Sequence, residues 1–249
     1  LKTAYASMPS LVGAEMCIRD SNDYVAKALE KYPERLEQFA DVDSMWSETY
    51  HLPGAASRLE KAVERWPMKA FTHYVAAEDD GSWFNSADGI DFFKVAEQAG
   101  LIASIAMSPH HQPELRKVAE RHPDLDILCH HMSGLRAHGD DARANLKVVT
   151  ESSKLPNIFL KLSGFHYLTN TEWNFPYSDT QWVYKECYEA FSTNMCWGSD
   201  FPVVKKSMTH LQSIEAFRTH CDFISEPDKK AIMGGTLNSL LDKTRSVNK

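Results

Sequence analysis

Two stretches, Met195-Cys-Trp-Gly-Ser-Asp-Phe-Pro202 and Asp126-Ile-Leu-Cys-His-His131, decide the fold of this chain. Each is a short apolar strand that runs into a titratable side chain. Phe201-Pro202 cannot extend a hydrogen-bond ladder, because proline lacks the backbone N–H and fixes φ. A carboxylate at the tip of a buried strand is costly unless a metal, an imidazolium or a substrate proton meets it. Two such strand ends on one rim predict the floor of an active site.

Working outward, strand and helix patterns alternate along the chain. Strands are predicted at 39–43, 69–75, 101–107, 126–131, 157–163 and 195–199. Helices are predicted at 22–30, 55–66, 89–99, 113–121, 141–152, 179–191, 207–220 and 226–243. Gly100 closes one helix and Pro113 opens the next, as helix ends prefer. The alternation implies a parallel sheet with right-handed crossovers. Polar residues gather at the strands' C-terminal ends, the rim on which (β/α)8 barrels build their sites. A dinucleotide-binding fold would need a Gly-rich turn after the first strand, and none occurs. The expected fold class is therefore α/β, a (β/α)8 TIM barrel that is incomplete, with about six strands present and the first two missing. Such an open barrel is expected to leave two strand edges and a length of core bare, and to aggregate.

Residues 10–21, SLVGAEMCIRDS, match the translation of a common tagmentation sequencing adapter and depart from it only at Ala14, which one base change explains. We therefore read 1–21 as an adapter-derived, non-native segment and 22–249 as the partial barrel domain. A net charge of −7 without a basic stripe argues against nucleic acid as a partner. No apolar run approaches the roughly 20 residues that span a bilayer. The five cysteines form no CxxC pair, which reads as reduced thiols and a cytoplasmic address. The expected partner is a small-molecule substrate, and homo-oligomers are common among enzymes of this kind.

The run Leu155-Pro-Asn-Ile-Phe-Leu-Lys-Leu-Ser-Gly164, followed by Trp197-Gly-Ser-Asp-Phe-Pro202 and Ile232-Met-Gly-Gly-Thr236, resembles the amidohydrolase-related (amidohydrolase 2) family. The likeness extends from Asn22 to Asp242. It is strongest to the metal-dependent hydrolase and lactonase branch, with its fuconolactonase and pyrone-dicarboxylate lactonase types. The resemblance implies that Asp200 matches the aspartate ending the eighth strand, a general base and, in metal-bound members, a ligand. It implies that His131 matches the histidine ending the sixth strand. Here His130 stands where the family has aspartate, and Ser133 intervenes before Gly134. The family's His-x-His ligand pair on the first strand has no counterpart in this sequence and is expected upstream of Asn22.

The resemblance thus implies a divalent metal, with zinc the first expectation and a metal-free route also open. Zinc lowers the pKa of bound water to about 7 and polarises a carbonyl. A carboxylate beside it can take the water proton and return it to the leaving group. His131 and Asp200 alone are too few for a tight zinc site, so the chain as written is expected to be metal-poor and inactive. The leading expectation is a hydrolase of a small lactone, ester or amide. The alternatives are a zinc-dependent non-oxidative decarboxylase of an aromatic or unsaturated acid, which would want another imidazole near the reacting carbon, and an inactive barrel.

Other residues are placed to touch substrate. His73 sits near a strand end, His166 and Tyr167 lie just beyond Gly164, and Trp83 stands on a long loop as a lid or apolar wall. Each also has a structural reading, as a buried or packing side chain. His130 is expected to point away from His131, since neighbours alternate sides of a strand. His110 and His111 are expected at the surface.

Overall fold

The computed structural model describes residues 22–171 and 173–247. The segment read above as adapter-derived, and any ligand pair before Asn22, lie outside the described residues.

Among the described residues six parallel strands form one sheet, each hydrogen-bonded to the next in chain order. They are β1 (Gln38–Asp41), β2 (Met68–Tyr74), β3 (Ile102–Ala106), β4 (Ile127–Cys129), β5 (Ile158–Leu162) and β6 (Met195–Trp197). Helix α1 (Asn22–Lys31) precedes β1, and between the strands come α2 (Ala55–Arg65), α3 (Ala87–Gln98), α4 (Gln112–Arg121) and α5 (Ala142–Thr150). The short α6 (Phe165–Leu168) and then α7 (Gln181–Phe191) lead into β6. After it come α8 (His210–Arg218), α9 (Glu226–Lys230) and α10 (Thr236–Val247). Sequential order without closure of β6 onto β1 among the described residues is the topology of an open segment of a TIM barrel, as the alternation predicted.

Strand alternation divides the core in two. Phe71, Ala103, Ile105, Ile127, Leu160 and Met195 face the helices, in the larger cluster. Phe39, Ala70, Ile102, Leu128, Phe159 and Cys196 face the opposite, concave side. There α10 packs Leu237, Leu240 and Leu241 against them. Burying each of these leucines is worth roughly 1.5–3 kcal/mol, so α10 fills the N-terminal end of the concave face. Lys243 ties the helix to Asp126 at 3.0 Å.

The open edges are partly covered. Asn22 donates from Nδ2 to Asp41 O and accepts from Asp41 N, both at 2.9 Å, imitating a neighbouring strand on β1. The segment Ala231–Gly235 packs beside β6, and Thr236 Oγ1 bonds Thr193 O at 2.8 Å. Cys129, Cys187, Cys196 and Cys221 are free, buried thiols. Among the described residues no helix is long and apolar enough to cross a membrane.

Candidate active site

The sheet's C-terminal rim carries a cavity of about 330 Å³, and Asp200, His131, Tyr167, Arg136 and Tyr74 line it with Gly134, Leu135 and Val203. Asp200 follows β6 in a left-handed conformation, φ 54°, that turns its side chain back over the strand ends. It is 2% exposed. Its Oδ2 accepts a short hydrogen bond from Tyr167 Oη, which leaves Oδ1 facing His131 Nε2 at 3.8 Å. His131, also left-handed at φ 44°, is fixed from behind by Ser163 Oγ at 2.9 Å from Nδ1. Burial, with the Lys161 charge adding to it and Asp200 opposing, pulls the His131 imidazole down to about 4. It is therefore neutral at neutral pH, able to accept or donate one proton.

Gly164 makes the Tyr167 contact available. At φ 73° a Cβ on residue 164 would fall 2.6 Å from Tyr167 Cε2 and nearer still to Cδ2. Only glycine leaves room for the ring to fold back toward Asp200. Arg136 holds the same turn by bonding Tyr167 O.

His130 corrects the expectation that it points away. The parity that turns Leu128 to the concave side turns His130 there too, where Ser104 Oγ bonds its Nε2 and Tyr74 meets it edge-on at 5.9 Å. Burial and the Lys161 charge hold its imidazole well below the usual range. His131 reaches the rim only because the chain has left strand geometry. Lys161, 2% exposed, runs beneath the site across Gly198, where a Cβ would lie 2.8 Å from Lys161 Cε.

His166 sits beside the cavity without lining it. Its ring lies 4.0 Å from that of Tyr167, and both its ring nitrogens are buried without a hydrogen-bond partner. Burial lowers its pKa, against the pull of Asp200. His73 and Trp83 do not reach the cavity. His73 has the parity of Phe71, so it faces the helices, 0% exposed, and meets Phe92 at 6.0 Å. Trp83 stacks on His51 beside it, at 4.1 Å. His111 is buried instead of exposed, bonding Asp79 O at 2.6 Å. Sequence reasoning missed Tyr74 and the role of Ser163, although the parity of β2 and the Lys-Leu-Ser-Gly run carried the signal for both.

The resemblance implies a metal, and the donors at the rim do not fit a tight site for one. Among the described residues no group of three or more His, Cys, Asp or Glu side chains is arranged to hold an ion. With Oδ2 of Asp200 and Nδ1 of His131 already engaged, Asp200 Oδ1 and His131 Nε2 are left facing each other at 3.8 Å, a pair short of the three or more protein groups of a tight zinc site.

Solved structures share this fold at low identity. An amidohydrolase from Burkholderia multivorans with bound zinc superposes with a TM-score of 0.75 at 18% identity, covering 90% of this chain and 80% of that one. A probable 2-pyrone-4,6-dicarboxylic acid hydrolase from Acinetobacter baumannii, with citric acid bound, gives 0.69 at 18%, covering 94% and 81%. A 2,6-dihydroxybenzoate decarboxylase from Rhizobium gives 0.61 at 16%, covering 97% and 82%. No curated protein matches the chain. The profile of the amidohydrolase family Amidohydro_2 matches residues 10–236. The chain belongs to that family.

Proposed function

We propose that this protein hydrolyses a small lactone, ester or amide in the rim cavity, with Asp200 as general base. The observation that carries the reading is the Asp200–His131 pair. Two polar atoms 3.8 Å apart, each oriented by a second partner, can hold one water between them. Asp200 Oδ1 takes a proton from that water as it attacks the substrate carbonyl. His131 Nε2 lies within reach of the same oxygen and orients it. The proton then returns from Asp200 to the leaving oxygen or nitrogen, which opens the ring or releases the product. Tyr74, Leu135 and Val203 supply an apolar wall, and Arg136 places a cation at the mouth.

The donors of the described residues do not make a tight metal site at the rim. We propose further that the metal-bound form of the reaction needs more protein ligands than Asp200 and His131, and that residues 22–249 alone turn over at background rate. The decarboxylase reading has one observation of its own in His166, an imidazole beside Asp200 with both nitrogens unengaged.

The test is to recover the coding sequence upstream of Asn22, express the extended protein beside the 249-residue chain, and assay both in H2 18O. Lactone opening with one 18O in the product acid, confined to the extended protein and lost in Asp200→Asn, is expected. Release of CO2 from carboxylated phenols without 18O uptake would replace the hydrolase with the lyase. Equal turnover by both forms would remove the need for more ligands.

A further inference from the structure

A second polar cluster lies on the helix side of the sheet, between the loop after β1 and the loop after β2. Its centre is a pair of imidazoles, with His51 Nε2 3.2 Å from His73 Nε2. Their other nitrogens are committed. His51 Nδ1 lies 3.0 Å from Asp79 Oδ2, and His73 Nδ1 lies 3.1 Å from Val42 O. Carboxylate and carbonyl oxygens only accept, so both Nδ1 atoms must carry the hydrogen. A neutral ring with its hydrogen on Nδ1 has a lone pair on Nε2. With both rings neutral, two lone pairs face each other at 3.2 Å, an acceptor against an acceptor; a second proton on His51 would instead let its Nε2 donate to His73.

The rings cannot swing apart to relieve this. His51 is clamped between Tyr50, 3.7 Å away, and Trp83, 4.1 Å away and parallel within 7°. His73 is 0% exposed under Phe92. Asp79 is itself held by Tyr50 Oη and Gly81 N, each at 2.9 Å.

We propose that His51 and His73 form a site for a divalent transition-metal ion, bound through their two Nε2 atoms. Two imidazole nitrogens at 2.0–2.1 Å from one tetrahedral ion stand about 3.3 Å apart, close to the separation found. Ligating histidines donate their other N–H to a carboxylate or a backbone carbonyl, which are the partners Asp79 and Val42 provide. The charged and titratable groups around the pair are Asp79, Asp43 with its partner Arg58, Tyr50, His110 and His111. Asp79 and Asp43 favour a cation. Burial is the largest influence on both rings, holding His51 below its ordinary value and His73 at about 4. With two protein nitrogens and the remaining positions left to water, the site is exchangeable, and Cu2+ should bind best of the divalent first-row ions.

The 249-residue chain, stripped with a chelator, is titrated with Cu2+ and followed by calorimetry and electron paramagnetic resonance. Wild type is expected to bind one equivalent more than His51→Gln, with the hyperfine pattern of two imidazole nitrogens at that site. Asp79→Asn is expected to keep the equivalent and weaken it about 10–100-fold. Equal stoichiometry in wild type and His51→Gln would overturn the proposal. If His51→Gln does not fold, imidazole 15N shifts of the wild type decide the matter. Zn2+ must move the Nε2 signals of His51 and His73 together. A proton shared between the two Nε2 atoms at neutral pH and unmoved by Zn2+ would make the proton the occupant and overturn the metal.

Discussion

Replacing Gly164 with alanine should disable the contact that orients Asp200, and the cost can be worked from geometry. Residue 164 sits at φ 73°, and an added Cβ would lie 2.6 Å from Tyr167 Cε2 and nearer to Cδ2. A shift of a few tenths of an ångström cannot clear two ring carbons, so the ring must leave. Tyr167 Oη then releases Asp200 Oδ2, and a hydrogen bond to a charged group is worth about 1.5–3 kcal/mol. The left-handed backbone adds about 1–2 kcal/mol for any residue with a Cβ. Gly164→Ala should thus destabilise by roughly 2.5–5 kcal/mol, measured by urea unfolding. In a Tyr167→Ala background the ring and its bond are already gone, and only the backbone cost of about 1–2 kcal/mol should remain. The double-mutant cycle would then show a coupling of about 1.5–3 kcal/mol. If Gly164→Ala costs the same in both backgrounds, the glycine does not serve Tyr167 and the account of how Asp200 is held is wrong.

Gly198→Ala is a second packing test. The new methyl would sit 2.8 Å from Lys161 Cε, in a channel where the lysine is 2% exposed, so overpacking of about 1–3 kcal/mol is expected. Thermal unfolding should show that cost shrink in a Lys161→Ala background, and an undiminished cost would place the strain elsewhere. Acid should destabilise the fold through its buried histidines. His73 and His131 are both pulled from 6.5 to about 4. Between those values the unfolded chain binds protons that the folded chain refuses, so stability is full above pH 6.5 and falls as pH drops toward 4. Each group contributes up to about 3 kcal/mol. Urea midpoints that stay level from pH 7 to 4.5 would show that neither imidazole is held neutral.

The strands were legible because each is a short apolar run bounded by Gly, Pro or charged residues, and burial on both faces of a parallel sheet needs little more. That Asp200 and His131 meet at one cavity was legible because both end apolar strands, where a titratable group is expensive unless something meets it. Side-chain direction was harder to read. His73 is as close to its strand's end as His131 is to its own, yet β2 continues in register through Tyr74, so alternation sends His73 to the helices and Tyr74 to the cavity. His51 and Asp79 belong to loops with no periodic pattern. Their meeting depends on the pairing of β1 with β2, which no local window of sequence contains.

What separates a working strand end from a merely buried one is the backbone just past the ladder. Asp43 follows β1 at φ 55°, His131 follows β4 at φ 44°, and Asp200 follows β6 at φ 54°, while Gly164 takes the same turn after β5 at φ 73°. For the three residues with side chains this conformation costs about 1–2 kcal/mol each. Every one of them is held there by a bond its own side chain makes. Asp43 receives Arg58 through Nε at 2.9 Å and Nη2 at 2.6 Å, His131 meets Ser163, and Asp200 meets Tyr167. At His131 and Asp200 the left-handed turn breaks the alternation of the strand and folds the polar group back toward the rim cavity, whereas Asp43 takes the same turn and stays with Arg58 outside that cavity. The site is therefore set by turns that side-chain bonds stabilise. His73, whose strand does not turn, stays in the packing layer despite being the right residue type in nearly the right place.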